Sequence, residues 1–335
     1  MRNSRKLLRG LFAGLLSLGL AACGGSGDEK KPDSKASGDG TAQEITIGLI
    51  AKSQNNPVFR AARVGAMDAA RDLSEKYGIK VEVRWQTPNN EDAQQQAQFV
   101  ESLTNAGVDG IAISCIDANL LNATLKDAVD KGITVMTFDS DAPASGRMAY
   151  YGVDDKAAGA AVMRELAKIL GEQGQVAVLA GNQAATNLQA RVAGVREEAA
   201  KYPGIQIVDV YYHPETAPDA AAKMQSVQNA NPDIDGWALV GGWPLYTDNA
   251  LDGINAKVVS LDPLPLPLEY LKSGQVQVLI GQPYYNWGYE SIRYIVEKVH
   301  LGKIPESEMI YADFDIVTQD NAEEYSKNWE KWNKN

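Results

Sequence analysis

Acidic and carboxamide side chains follow the ends of several apolar runs, where they are placed to hold a small polar molecule. Asp139 and Asp141 come directly after one such run, and Asp262 comes after another. Asn56 and Gln282 follow two further runs. Carboxylates and carboxamides engage neighbouring hydroxyl groups in pairs, and ionised carboxylates form the stronger, charge-assisted hydrogen bonds. This chemistry suits a sugar.

Two aromatic residues lie in the same loops. Phe59 follows the first run, and Trp243 follows the Gly241-Gly242 pair. Flat rings of this kind cover the apolar C–H faces of a pyranose. A structural interpretation is also open, because Asn56 before Pro57 is typical of a helix N-cap and Asp139 is typical of a turn.

Short β-branched runs alternate with amphipathic stretches along the whole chain from residue 44. The alternation predicts parallel sheets with helices on both faces. Ligands of such sheets bind beyond the carboxyl ends of the strands, which is where the polar loops fall. The elements that position the candidate residues are therefore predicted to be doubly wound α/β lobes.

The series of elements starts again after about residue 174, which indicates an internal repeat. Residues 109–113 read DGIAI and residues 235–239 read DGWAL, each preceded by a helix rich in Gln and Ala. Gly65 and Gly194 each lie in an Arg- and Ala-rich helix that follows the first strand of a half. We expect two lobes of similar topology.

The first residues indicate export and lipid attachment. Basic residues at positions 2, 5, 6 and 9 precede an apolar run at 11–20, which is the order of a signal peptide. The run is about half of the roughly 20 residues that a membrane span needs. Residues 20–23, Leu-Ala-Ala-Cys, resemble the bacterial lipobox, which predicts a lipid on Cys23. Residues 24–43 predict a flexible linker.

Composition narrows the partners further. The formal net charge is −11, with 32 basic and 43 acidic residues, and such a surface repels nucleic acid. Besides Cys23 the chain has one cysteine, Cys115, which ends an apolar run and predicts a buried, inert thiol rather than a disulfide.

These residues resemble the ribose- and glucose-type periplasmic binding proteins of ABC importers, a similarity that covers almost all of residues 44–335. The resemblance implies ligand contacts at matching positions: Asn56, Phe59, Asp139, Arg191, Asp262 and Gln282.

Several positions depart from the ribose-type pattern. Ser140, Gly241 and Val58 stand where that pattern has Arg, Asn and an aromatic residue. Residues 139–147 and 281–284 are more similar to glucose-type members, so a hexose or xylose is preferred to ribose. Trp243 and Tyr285 are candidates to replace the lost contacts.

The resemblance also implies an architecture and partners. After the signal peptide at 1–23 and the linker at 24–43, it predicts a first lobe of 44–153 plus 282–310 and a second lobe of 154–281 plus 311–335. The chain would cross between lobes near residues 153–154, 282–283 and 311. The expected mechanism is that a monomer, without any cofactor, closes on a monosaccharide and is then recognised by an ABC permease.

Other functions remain open at this point. His213 and His300 are the available neutral-pH bases, and the sequence has no hydrolase, zinc-protease, P-loop or dinucleotide motif. Asp139 and Asp141 are a carboxylate pair of the kind that glycoside hydrolases use. The same two residues lack the later ligands of a calcium loop. A sensory receptor for a sugar-like signal is a further alternative, whereas a sugar-responsive repressor would need an N-terminal DNA-binding helix pair.

Overall fold

The computed structural model of the protein describes residues 42–333. The strands are β1 (Glu44–Ile50), β2 (Lys80–Trp85), β3 (Gly110–Ile113), β4 (Thr134–Phe138), β5 (Ala149–Gly152), β6 (Gln173–Ala180), β7 (Gly204–Tyr212), β8 (Gly236–Leu239), β9 (Lys257–Leu261), β10 (Val278–Gly281), β11 (Met309–Tyr311) and β12 (Asp315–Val317). The helices are α1 (Pro57–Tyr77), α2 (Ala93–Asn105), α3 (Ala118–Asp130), α4 (Asp155–Ile169), α5 (Thr186–Ala199), α6 (Ala217–Ala230), α7 (Pro265–Lys272), α8 (Tyr284–Leu301) and α9 (Ala322–Trp332). The predicted signal peptide, Cys23 and the linker through residue 41 lie outside the described residues.

The strands form two six-stranded sheets. The first has the order β11-β5-β4-β3-β1-β2 and the second has the order β12-β10-β9-β8-β6-β7. Neighbouring strands are parallel, apart from the antiparallel pair of β10 and β12. The predicted fold of two doubly wound α/β lobes is confirmed.

Helices cover the sheets and bury the apolar strands. In the first lobe α1 and α8 pack together and against the sheet, and in the second lobe α4 and α5 do the same. Every residue of β3 and β8 is buried, as expected of parallel strands that are covered on both faces. None of the helices in residues 42–333 is long and apolar enough to cross a membrane.

The repeat seen in the sequence is a repeat of structure. Asp109, which precedes β3, accepts a hydrogen bond of 2.7 Å from the backbone N–H of Thr46 in β1. Asp235, which precedes β8, accepts one of 2.7 Å from Gln175 in β6. The two aspartates therefore join the same pair of strands in each lobe.

The paired glycines have a packing reason. A Cβ on Gly65 of α1 would lie 1.9 Å from the carbonyl oxygen of Tyr285 in α8. A Cβ on Gly194 of α5 would lie 1.9 Å from the carbonyl oxygen of Lys156 in α4. Each glycine thus permits two helices of its lobe to approach closely.

Three connections join the two sheets over the described residues. The chain leaves the first sheet after β5, returns after β10, and passes to the second sheet again between β11 and β12. Tyr311 is still paired with Gly152 in the first sheet, so the third connection is formed by residues 312–314. Helix α9 contacts both α7 and α1 and so lies across the lobes.

Candidate ligand-binding cleft

Loops from both lobes line a cavity of about 890 Å³, which we call the inter-lobe cleft. The first lobe contributes residues from the loops after β1 and β2, and the second lobe contributes residues from the loops after β6, β7 and β8. The carboxyl ends of the strands therefore face the cleft, as the sequence predicted. Its lining includes Ser53, Asn55, Asn56, Asn90, Glu91, Asn182, Gln183, His213, Glu215, Thr216, Trp243 and Tyr246.

Asn56 and Trp243 are the predicted residues that line the cavity. The Asn56 side chain also accepts a hydrogen bond of 3.3 Å from the Val58 N–H, so the same residue caps α1. Trp243 opens a short 3-10 helix, Trp243–Tyr246, directly after β8. Its indole fills the space that a side chain at Gly241 would occupy, because a Cβ there would lie 2.0 Å from the ring.

Arg191 is not among the residues that line this cavity, and it is the centre of a buried polar network. Only 3% of its surface is exposed. Its guanidinium donates to Asp155 at 2.8 Å, to the Gln282 carbonyl oxygen at 2.8 Å and to the Val240 backbone oxygen at 3.2 Å. The guanidinium also lies 3.8 Å from Asp139. The network joins carboxylates of both lobes and the connection after β10.

Asp262 is the second centre of the network. Its carboxylate accepts hydrogen bonds from the Gly242 N–H, the Gln282 amide, and the Tyr246 and Tyr284 hydroxyls, at 2.8 to 3.1 Å. Four donors of this kind stabilise an ionised carboxylate. Asp262 therefore fixes the 3-10 helix that carries Trp243 and orients Gln282 toward Arg191.

Asp139 and Asp262 occupy equivalent positions in the repeat. Each follows the fourth strand of its lobe and has a left-handed backbone, with φ of 56° and 70°. Non-glycine residues seldom adopt this conformation, although Asp tolerates it better than most. The shared turn brings both carboxylates to the face of the sheets where the lobes meet.

Phe59, which the resemblance implied as a ligand contact, and Asp141, which its place after a strand suggested, do not line the cavity. Phe59 is 2% exposed and packs in the core of the first lobe, with its ring centroid 6.1 Å from that of Trp287. It is one of the buried residues of α1 and belongs to the same core cluster as Ile47 and Leu49 of β1. Both carboxylate oxygens of Asp141 bind the Arg147 guanidinium, at 2.5 and 2.6 Å. That pairing makes Asp141 part of the loop structure.

Tyr285 lies away from the cleft lining as well. Its hydroxyl donates to Asp68 of α1 at 2.8 Å, so it joins α8 to α1 within the first lobe. Cys115 is fully buried, and burial raises the pKa of its thiol above the ordinary range, in agreement with an inert role.

Lys52 and Asn187, which the sequence did not indicate, form polar contacts between the lobes. Lys52 follows β1, is 2% exposed, and donates to the Asn187 oxygen of the second lobe at 3.4 Å. Asn187 in turn donates to Asp139 at 3.2 Å. A lysine directly after an apolar strand was the available signal. Burial lowers the pKa of Lys52, but Glu215, Asp139 and Glu91 outweigh burial and raise it.

His213 and Trp243 form an edge-to-face pair in the lining, with ring centroids 5.2 Å apart. His213 Nδ1 lies 2.5 Å from the Pro214 carbonyl oxygen, which can only accept, so Nδ1 carries the proton and Nε2 is a free acceptor. Burial lowers the pKa of His213 and favours this neutral form. His213 Nε2 and Trp243 Nε1 are buried without a partner among the described residues.

Two doubly wound lobes around a polar cleft define a class of proteins that bind small molecules by closing on them. The chain belongs to the periplasmic binding protein family, because the family described as "Periplasmic binding protein domain" matches residues 47–303. Proteins of this family are exported solute-binding proteins.

Individual relatives of the chain agree with its membership of this family. The chain is 27% identical to the xylitol-binding protein of Mycolicibacterium smegmatis, over 67% of this chain and 59% of that protein, so it spans about three-fifths of that relative's length. It is 26% identical to the D-ribose/D-allose-binding protein of Pseudomonas aeruginosa, over 72% of this chain and 78% of that protein.

A solved structure has the same fold. The crystal structure of an ABC transporter solute-binding protein from Burkholderia graminis, in complex with D-arabinose, matches with a TM-score of 0.76 and 31% identity. The match covers 84% of this chain and 97% of that protein.

Proposed function

We propose that this protein is an extracytoplasmic solute-binding lipoprotein that captures a monosaccharide, a pentose or hexose, between its two lobes and delivers it to an ABC import permease. The observation that carries the proposal is the inter-lobe cleft, which both lobes line above a buried polar network. Its volume falls within the roughly 300–1,000 Å³ typical of small-molecule sites.

The lining chemistry supports a polyhydroxylated ligand. Asn56, Asn90 and Asn182 offer both donors and acceptors, and Glu91 and Glu215 offer acceptors. The Trp243 indole supplies a flat apolar surface at the same place. Sugars require this mixture, because each hydroxyl both donates and accepts while the ring C–H groups need an apolar contact.

Lobe closure supplies the mechanism of delivery. Three connections join the lobes, and each lobe has its own sheet, so the lobes can separate with small changes at the connections. A sugar that contacts both lobes favours the closed arrangement by its differential affinity. The closed form is then the species that the permease recognises.

The membrane anchor belongs to the same proposal. A lipid on Cys23 would keep the receptor near its permease, and the linker that follows would leave the lobes free to move. Palmitate labelling of the protein made in a bacterial host tests the anchor. We expect incorporation in the unaltered chain and none in the Cys23→Ser variant.

The sugar-binding function is tested with the purified residues 44–335 by thermal shift against pentoses, hexoses and pentitols, followed by calorimetry. A bound sugar raises the melting temperature in proportion to the logarithm of its concentration over the dissociation constant. We expect Asp262→Ala to weaken binding at least about tenfold, because charged hydrogen bonds contribute about 1.5–3 kcal/mol each.

Asp252→Ala, at an exposed position of the same lobe, is the matched control and should bind like the unaltered protein. Unchanged affinity in Asp262→Ala would contradict the role of the network. Absence of any sugar binding, or turnover of a glycoside, would contradict the proposed function.

A further inference from the structure

Two glutamates meet across the inter-lobe cleft. Glu91 lies in the loop before α2 of the first lobe, and Glu215 lies in the loop before α6 of the second lobe. Both are half-buried and line the same cavity, one from each lobe. We call them the glutamate pair.

Glu215 is held in place by the backbone. Its carboxylate accepts a hydrogen bond of 2.9 Å from the Asn182 N–H, just beyond β6. Its side chain also lies against Gly181, where a Cβ would come within 2.6 Å of the Glu215 Cγ. The Glu215 charge therefore stays at a defined point of the cleft wall, and the absence of a side chain at position 181 makes the room for it.

The charged groups around the pair leave an acidic excess. Lys52 faces it from the end of β1, Asp139 from the end of β4, His213 from the end of β7 and Tyr246 from the 3-10 helix. Lys52 is the cation in this group, since His213 is neutral. Burial, and then the neighbouring Glu215, raise the pKa of Glu91.

A second feature of the same cavity points to an absent ligand. His213 and Trp243 line it, are 5% and 6% exposed, and each have a ring nitrogen without a partner among the described residues. One is an acceptor and the other is a donor. A hydroxylated ligand can satisfy both, because a hydroxyl group both donates and accepts.

We propose, resting on the sugar-binding function above, that the glutamate pair determines specificity by accepting donor groups of the ligand from both lobes and by rejecting sugar acids. The donors are the hydroxyls of a neutral sugar or polyol, or the ammonium of an amino sugar. A carboxylate or phosphate on the ligand would meet like charge in the cleft, which disfavours its binding.

The test is calorimetry at neutral pH with two matched series. One contains D-glucose, D-glucosamine and D-glucuronate, and the other contains D-xylose and D-xylonate. We expect the neutral sugar of at least one series to bind more tightly than its acid, by about a hundredfold or more. The double variant Glu91→Gln/Glu215→Gln should reduce this ratio of affinities by about tenfold or more. Glutamine keeps the shape of glutamate and removes the charge.

Glu101→Gln/Asp233→Asn, at exposed positions of the two lobes, changes the net charge equally and should leave the ratio unaltered. The unaltered protein at acidic pH provides a measurement that does not depend on the folding of a variant. Acidification should narrow the ratio of neutral-sugar affinity to sugar-acid affinity, because Glu91 takes up a proton while the sugar acids remain ionised.

The outcomes separate the two proposals. If a neutral sugar binds and the double variant discriminates against its acid as strongly as before, the glutamate pair is not the determinant, while the sugar-binding function stands. If an acid binds the unaltered protein as tightly as its neutral partner, the specificity proposal is likewise overturned. If no sugar binds in these series or in the thermal-shift screen, both proposals fall. If D-glucosamine binds more tightly than D-glucose and the double variant loses this preference, the donor is the ammonium group. If the two sugars bind equally, the donors are hydroxyl groups.

Discussion

Buried charges between the lobes are satisfied by one another, and each therefore depends on its partners. Arg191 is the clearest case, because Asp155, Gln282 and Asp139 all face its guanidinium. Its attraction to these carboxylates raises the Arg191 pKa despite burial, so it remains a cation at any working pH. Removal of a residue from such a network leaves a buried charge uncompensated, which costs more than the interaction itself contributed.

We expect Arg191→Ala to lower the free energy of unfolding by about 3–5 kcal/mol, because Asp155 loses its buried cation. Urea unfolding followed by fluorescence measures the change. Arg196→Ala, exposed on the same helix, is the control and should change stability by less than about 0.5 kcal/mol. A similarly small effect of Arg191→Ala would show that the network is not stabilising.

Asp155 predicts a specific pH dependence. Burial raises its pKa to about 6, and Arg191 opposes the shift. The unfolded chain titrates near about 3.9, so the folded protein holds this proton more tightly. The contribution of Asp155 to stability is therefore full below about pH 4 and is lost as the pH rises through about 6.

Urea unfolding across that interval provides the measurement. Relative to Asp155→Asn, the free energy of unfolding of the unaltered protein should fall by on the order of 2 kcal/mol between about pH 4 and pH 6. Asp154→Asn is the neighbouring control, because asparagine caps a helix as well as aspartate does. Parallel pH curves for Asp155→Asn and the unaltered protein would contradict the assignment.

At the level of elements, the repeat explains how the cleft is built. Equivalent strands end in Asp139 and Asp262, and equivalent helix pairs pack through Gly65 and Gly194. The close helix approach sets the position of α5, whose first turns carry Asn187 and Arg191. Gly194, on the same helix as Arg191, thereby helps to position the residues of the network.

Gly194→Ala tests this packing. Alanine has the better helix propensity by about 1 kcal/mol, so an uncrowded position would be stabilised. Here the added methyl meets the Lys156 carbonyl, and we expect a net destabilisation of about 1–3 kcal/mol from overpacking, measured by thermal and urea unfolding. Glu197→Ala, exposed on the same helix, is the control. An increase in stability on Gly194→Ala would contradict the close approach of α4 and α5.

On the scale of the whole molecule, side-chain contacts between the lobes hold the two lobes together. Asn187 of the second lobe accepts from Lys52 and donates to Asp139, both of the first lobe. Thr186 adds a hydrogen bond of 3.0 Å to the Asp141 backbone oxygen. These polar contacts are few, so the balance between open and closed lobes should respond to a single substitution.

Asn187→Ala should shift the ligand-free protein toward open lobes, because it removes two contacts that exist when the lobes are together. Small-angle scattering would record a larger radius of gyration than in the unaltered protein. Asn249→Ala, exposed in the second lobe, should leave the radius unchanged. An unchanged radius in Asn187→Ala would show that these contacts do not control closure.

The sequence predicted the fold well because its signals are local. Strand and helix periodicity, the DGIAI and DGWAL segments and the paired glycines all act within one lobe. The sequence pattern did not predict β5, α4, α7, α9, β11 or β12 as elements. The strands among them are short, since β5 has four residues and β11 and β12 have three each. Runs that short give little periodicity.

Site prediction depended on longer-range facts. The strand-end rule predicted the loops after β1 and β8, which line the cavity through Asn56 and Trp243. It also predicted the loops after β4, β9 and β10, which do not line this cavity, and it did not single out the loops after β2, β6 and β7, which do. Phe59 and Asp141 have residue types that suit a sugar site, but both are engaged elsewhere. Phe59 packs against a core aromatic residue, and Asp141 is paired with a nearby arginine. No local pattern distinguishes a carboxylate that faces the cavity from one already paired.

By itself the sequence determined the alternation of strands and helices, the two similar halves and the polar character of the strand ends, because each depends on residues close together in the chain. Only the tertiary structure decided which polar groups meet. Lys52, Glu91 and Glu215 come from loops of different lobes, and their electrostatic coupling exists because the folded lobes face each other. Contacts between lobes depend on the packing of both sheets and on the connections between them, which no single segment encodes.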